Sequence, residues 1–218
     1  SLRPLHHNTH VFFYLTYRRP PRSTLCPHTT LFRSTRADAE AIWRKHNDDE
    51  ALWRHALSVE AAMRHFARKA GADEAEWGIA GLIHDIDYGR YPAEHCVRGR
   101  ALLSEAGWPE SYIRAMESHG WGLCTEVEPR SAMEKTLYAI DELTGFIAAC
   151  ALVRPSRSVL DLETKSVKKK WKTPAFAAGV NREVIEKGAA LLGMELDDLI
   201  GETILALRPA ASEIGLAG

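Results

Sequence analysis

Ile79-Ala-Gly-Leu-Ile-His-Asp85 decides how this chain is read: an apolar run that ends on an imidazole and a carboxylate. An ionised carboxylate and an imidazole coming straight off a hydrophobic helix are expensive to bury unless something compensates them. A bound metal ion is the simplest compensation. His55 lies upstream of the doublet, and His95, His119 and Asp141 lie downstream. Together with His84 and Asp85 they supply nitrogen and oxygen donors able to hold one or two first-row metals or magnesium.

Working outward, the signals from Thr35 onward are helical almost throughout. Asp38 to about Lys45 makes a short amphipathic start, and Asn47-Asp48-Asp49 offers cap chemistry for the next helix. Leu52, His55, Val59, Met63 and Phe66 recur at spacings of three and four, which puts His55 on an apolar face and His65 off it. His46 and His65 both read as solvated. Gly71 ends this helix, and Asp73 opens the one that runs through Trp77 to the His-Asp doublet. Tyr88-Gly-Arg-Tyr-Pro92 is a loop. A helix over about 93–106 is expected to show His95, Gly99, Leu102 and Ala106 on one side, and Pro109 starts another that reaches His119. A long helix from Ala132 to about Leu152 carries Asp141 and is broken by Arg154-Pro155-Ser156. Further helical patterns cover 181–192 and 195–207. No strand-like alternation or internal repeat is present, so the fold class is all-α.

Composition narrows the class. Hydrophobic content of 45% and charged content of 26% belong to an ordinary soluble globule. The longest apolar stretch, Leu143 to Val153, is too short to span a bilayer. The four cysteines show no paired spacing, which points to neither a disulfide framework nor a zinc ribbon and favours a reducing cytoplasm.

The first 34 residues differ from the rest. They contain no Asp, Glu or Lys, but five Arg and four His. Without them 23 basic residues face 29 acidic ones, a net of about −6, which argues against nucleic acid as a partner. The segment from Tyr17 to Ser34 resembles the conceptual translation of a sequencing-library adaptor, and such residues are set aside in fold reasoning. The alternative is a basic, proline-containing arm for nucleic acid or an acidic surface. The expected organisation is an extension over 1–34, a single domain with a C-terminal helical extension over 35–208, and a tail over 209–218. His6, His7, His10 and His28 then drop out as ligand candidates.

The order His…His-Asp…Asp in a helical chain, here His55, His84-Asp85 and Asp141, resembles the HD-domain superfamily of metal-dependent phosphohydrolases, and bacterial HD proteins most closely. The flanking segments His55-Ala-Leu-Ser-Val-Glu60, Leu82-Ile-His-Asp-Ile-Asp87 and Tyr138-Ala-Ile-Asp-Glu-Leu-Thr-Gly145 fit as well, and the likeness covers roughly 36–207. It implies an HD-domain helical bundle with ligands from several helices, acting on a phosphate ester or anhydride of a small molecule, plausibly a nucleotide. It further implies His55, His84, Asp85 and Asp141 as ligands of a first divalent ion, with Asp85 bridging to a second held by His95 and His119. Such ions lower the pKa of a bound water and polarise phosphoryl oxygens. Mn, Fe, Mg, Co, Ni and Zn are not distinguished. Asp87-Tyr-Gly-Arg90 stands where signalling members carry Gly-Lys or Gly-Tyr-Pro and some nucleotide hydrolases a Glu-Asp pair, so cyclic-dinucleotide or alarmone hydrolysis is not supported.

Several residues keep two readings. His95 and His119 hold a second metal, bind a substrate phosphate or cap a helix. Arg90 clamps a phosphate or is a solvated loop residue. Asp87 orients a ligand histidine or ends the helix. Lys165 to Lys172 forms a solvated helix face with Val167 and Trp171 inward, or contributes phosphate-attracting lysines alongside Arg154. Cys96 reads as a small core residue. The whole set also fits a mixed di-iron oxygenase, or a module that senses a nucleotide without turning it over.

Overall fold

The computed structural model describes residues 34–218. Expectations for 1–33, among them the adaptor-like segment, its histidines and Cys26, lie outside the described residues. Among the described residues there is no strand, only two isolated bridges, Trp121 with Thr125 and Ser158 with Ala217. The all-α reading holds.

Local chemistry sets the helix limits. Helix α1 (Arg36–His46) starts with a capping box in which Thr35 and Asp38 satisfy one another's backbone N–H groups. Helix α2 (Glu50–Ala70) starts where the Asp49 carboxylate accepts from the Ala51 and Leu52 amides, and stops at Gly71, whose φ of 65° is left-handed. Asp73 caps helix α3 (Glu74–Ile83) in the same way. Every residue of α3 from Trp77 to Ile83 is buried, as expected of a helix apolar all round. Helix α4 (Val97–Glu105), helix α5 (Glu110–His119) and helix α6 (Ala132–Leu152) follow. Helix α7 (Thr164–Trp171), helix α8 (Arg182–Leu192) and helix α9 (Leu196–Leu207) complete the described bundle.

Two packings position the centre. Helix α3 lies so close to α2 that a Cβ at Gly81 would sit 3.0 Å from the Val59 carbonyl oxygen. Helix α6 is the hub, packing against α2, α5, α8 and α9. Its approach to α8 is closer still, since a Cβ at Gly188 would lie 2.5 Å from the Ala139 Cα. Leu137, Ile140, Leu143 and Phe146 of α6 are fully buried, each worth about 1.5–3 kcal/mol relative to exposure. This core brings the middle of α6, where Asp141 sits, against α2 and the end of α3.

The structure corrects three expectations. The helix expected over 93–106 is interrupted: a short 3₁₀ turn at Pro92–Glu94 is followed by extended His95 and by Cys96 at φ 66°, and α4 begins only at Val97. Its inward residues are Gly99 and Leu103, while Ala106 is exposed. His65 is not solvated, because its ring meets the Glu202 carboxylate at 2.7 Å and ties α2 to α9. Residues 209–218, expected as a tail, are packed: Ala211, Ile214 and Leu216 are buried, and the Val159 amide donates to the Leu216 carbonyl. The lysine-rich segment conforms to its apolar-face reading, with Val167 buried and Trp171 against Phe146. Among the described residues no helix is long and apolar enough to cross a membrane.

Candidate metal centre

The six donors come from five places in the fold. His55 projects from α2, His84 and Asp85 follow α3, His119 is the last residue of α5, and Asp141 lies mid-way along α6. His95 comes not from a helix but from the link before α4. All six converge. Helix α3 ends at Ile83, and the doublet stands in the turn that follows it, with His84 still in helical backbone geometry.

Three of the imidazoles are held by one nitrogen so that the other faces inward. The Nδ1 of His84 donates to the Gly81 carbonyl at 2.7 Å, and the Nδ1 of His119 donates to the Met116 carbonyl. The Nδ1 of His95 meets the Asp87 carboxylate at 2.7 Å. A carbonyl or an ionised carboxylate can only accept, so each of these Nδ1 atoms carries the proton, and Nε2 of the neutral ring presents a lone pair. Asp87 is fully buried, and its second oxygen accepts the Gly99 amide at 2.6 Å. It thereby caps α4 from outside, where the residue at the N-cap, Cys96, provides no side-chain bond.

The inward atoms face one another in a way that calls for a cation. His95 Nε2 and His119 Nε2 are 3.1 Å apart. His84 Nε2 is buried without a hydrogen-bond partner, although Asp141 and Asp85 oxygens approach to 3.2 and 3.3 Å. Lone pairs turned toward lone pairs and carboxylates repel. Donors each about 2.1 Å from one ion and 90–110° apart would be separated by roughly 3.0–3.5 Å. His55 Nε2 is 3.0 Å from Asp141 Oδ1, and Asp85 Oδ1 is 3.4 and 3.5 Å from the Nε2 atoms of His95 and His119. The residues present fit divalent ions.

Asp85 divides the donors. Its Oδ2 faces His84 at 3.3 Å and His55 at 3.8 Å, while its Oδ1 faces His95 and His119. Electrostatics agree with cation binding. Burial disfavours a charge on His84, but the carboxylates of Asp85 and Asp141 outweigh it and push its pKa well above the ordinary range. The same contest raises His95, where Asp87 and Asp85 prevail over burial. Asp85 and Asp141 are buried too, yet the surrounding imidazoles hold both below the usual carboxylate range. The cluster draws positive charge, protons or metal ions alike.

The centre opens into a cavity of about 430 Å³, a size suited to a small molecule. His55, Asp85, His95, His119 and Asp141 line it, while His84 stays beneath its floor, fully buried. Arg90 is not brought there: it is exposed, and its charge acts on His46, whose pKa burial first and then Lys45 and Arg90 lower. The loop 88–91 turns back on Asp87, whose carbonyl accepts the Arg90 and Tyr91 amides. Sequence reasoning missed Glu142, Tyr88 and Cys124 in the cavity wall. Glu142 was in view as the residue after Asp141. Burial raises its pKa, the Asp141 charge adding to this. No lysine or arginine is among the residues that line this cavity.

No curated protein and no solved structure matches the chain. The family model of the HD domain does, over residues 52–144, a span that begins just before His55 and ends just after Asp141. Residues 52–144 thus carry an HD domain, a family whose members are in general metal-dependent hydrolases.

Proposed function

We propose that this protein is a phosphohydrolase with two divalent ions, acting on a phosphate ester or anhydride of a small molecule, with nucleotides as the first class to test. The observation that carries the reading is the division made by Asp85, one oxygen toward His55 and His84, which Asp141 also approaches, and the other toward His95 and His119. His55, His84, Asp85 and Asp141 would hold one ion, and Asp85, His95 and His119 the second. Divalent ions in such a site supply a water of lowered pKa and Lewis acidity toward phosphoryl oxygens.

The protein's own groups do the rest. Asp87 fixes the ring of His95, and the Gly81 and Met116 carbonyls fix those of His84 and His119, so the donors are set before an ion arrives. Among the described residues, the cavity wall carries Asp85, Asp141 and Glu142 beside its imidazoles, and no lysine or arginine. A phosphate would be repelled by that wall, so its charge must be met by the ions and not by Arg90. Leu52, Tyr88, Pro92 and Leu123 form the apolar part of the wall, against which a base or other flat group of the substrate can rest.

The test is phosphate release from a nucleotide panel by protein loaded with Mn²⁺, Mg²⁺, Co²⁺ or Fe²⁺, under air and under anaerobic conditions. The expected result is release that requires metal, proceeds without oxygen and is lost in Asp85→Ala. Turnover that requires both iron and oxygen, or release unchanged in Asp85→Ala, would overturn the proposal.

A further inference from the structure

Two cysteines meet beside the centre. Cys96 follows His95, Cys124 follows His119 by five positions, and their sulfurs lie 3.1 Å apart. Cys96 is fully buried, whereas Cys124 is exposed and lines the cavity. One sulfur is reachable and the other is held behind it. Cys150, by contrast, is buried in α6.

The backbone is shaped around this contact. Cys96 has φ 66° and ψ −43°, close to a γ-turn geometry that is rare and strained for a residue with a side chain. Such strain persists only where the surroundings enforce it, and it gathers at functional positions. Gly120 gives a second sign. A Cβ at that position would lie 2.3 Å from the Cys124 sulfur and 2.7 Å from the Cys96 sulfur, so glycine leaves the space that both occupy. The Gly120 carbonyl accepts the amides of Cys124 and Thr125, which holds the turn that presents Cys124.

We propose that Cys96 and Cys124 form a reversible dithiol–disulfide site that reacts with a peroxide entering the cavity. The Cys124 sulfur gives up its proton and attacks one peroxide oxygen; the O–O bond breaks, the departing oxygen takes up protons and leaves as water, and Cys124 becomes a sulfenic acid. The Cys96 sulfur then attacks the Cys124 sulfur. The S–O bond breaks, the hydroxyl leaves as a second water with the Cys96 proton, and the S–S bond forms. Two thiols lose two electrons in all, and one peroxide is reduced to two waters. A disulfide of about 2.05 Å requires the sulfurs to close by roughly 1 Å, which the exposed residues 122–124 of the turn can supply. The bond would tie the start of α4, next to His95, to the turn after His119. This chemistry concerns the thiols alone and stands whatever reaction the metal centre performs.

The experiment treats the full chain with hydrogen peroxide, and in parallel with diamide to exclude radical damage. Free thiols are then counted after unfolding, and a non-reducing peptide map is read by mass spectrometry. The four reactive thiols should fall to two, with the Cys96 and Cys124 peptides joined, and dithiothreitol should restore all four. Cys150→Ser should leave the cross-link intact. Cys96→Ser should stop at a sulfenic acid on Cys124 that dimedone traps; should that variant not fold, the map of the unmodified chain decides alone. The proposal is overturned if Cys96 and Cys124 both remain open to alkylation, or if either pairs with Cys26, Cys150 or another chain instead.

Discussion

Replacing Asp87 with asparagine isolates one half of the centre without touching a ligand. Asp87 is fully buried and accepts two bonds, from His95 Nδ1 at 2.7 Å and from the Gly99 amide at 2.6 Å. An asparagine of the same shape has one accepting end and one donating end. If its oxygen keeps Gly99, its NH₂ faces the Nδ1 proton of His95, and the ring relieves the clash by moving that proton to Nε2. The lone pair aimed at His119 and Asp85 is then lost. One charge-assisted bond lost from a buried pair costs roughly 1.5–3 kcal/mol of stability. The loss of such a partner to a ligand histidine weakens metal binding about 10–100-fold, equivalent to about 1.4–2.7 kcal/mol. Metal content per chain and competition with a chelator dye read the second figure, and urea denaturation of the metal-free form reads the first. The expected result is normal retention of the ion assigned to His55, His84 and Asp141, with selective weakening of the other. Equal affinity at both sites in a folded Asp87→Asn protein would refute the role given to Asp87.

Three further outcomes follow from the packing and the centre. Gly188→Val would set a branched side chain where even a Cβ lies 2.5 Å from Ala139; α6 and α8 must part, at a cost of about 1–3 kcal/mol that thermal denaturation would show, and an unchanged midpoint would contradict the close approach. His65→Ala removes one of two α2 partners of Glu202, the other being Lys69, so stability should fall by about 0.5–1.5 kcal/mol with metal content unchanged. Loss of metal in that variant would show that the wrong histidines have been grouped. Removing metal with a chelator should lower the unfolding temperature, and excess Mn²⁺ should restore it, because an ion that binds only the folded cluster stabilises it by mass action; an unfolding temperature indifferent to both treatments would count against a metal centre at this place.

The helices were legible where periodicity and caps spoke together. Leu52, His55, Val59, Met63 and Phe66 mark the inward face of α2, and Asp49, Gly71 and Asp73 mark ends that the structure reproduces. The six residues that converge were legible as candidate ligands because buried imidazoles and carboxylates are costly, and because their order resembled a known one. The break at His95–Cys96 was not legible, since His95, Gly99, Leu102 and Ala106 keep helical spacing whether or not the chain turns in front of Val97. Nor could spacing reveal that Arg90 faces away, for loop direction depends on the bonds that gather 88–91 onto the Asp87 carbonyl. Asn47 illustrates the same limit. It read as cap chemistry, yet its side chain bridges the Ile86 carbonyl and the Gly89 amide, fixing the turn that carries the His-Asp doublet. Long-range polar bonds of this kind leave no periodic trace.

Anomalous diffraction from crystals of the Mn²⁺-loaded protein measures the central claim directly. Two peaks about 3.5–4 Å apart, one on each side of the Asp85 carboxylate, are predicted, with His55, His84 and Asp141 around the first and His95 and His119 around the second. Manganese bound elsewhere in the chain, or a His–Asp cluster without a peak, would contradict the account.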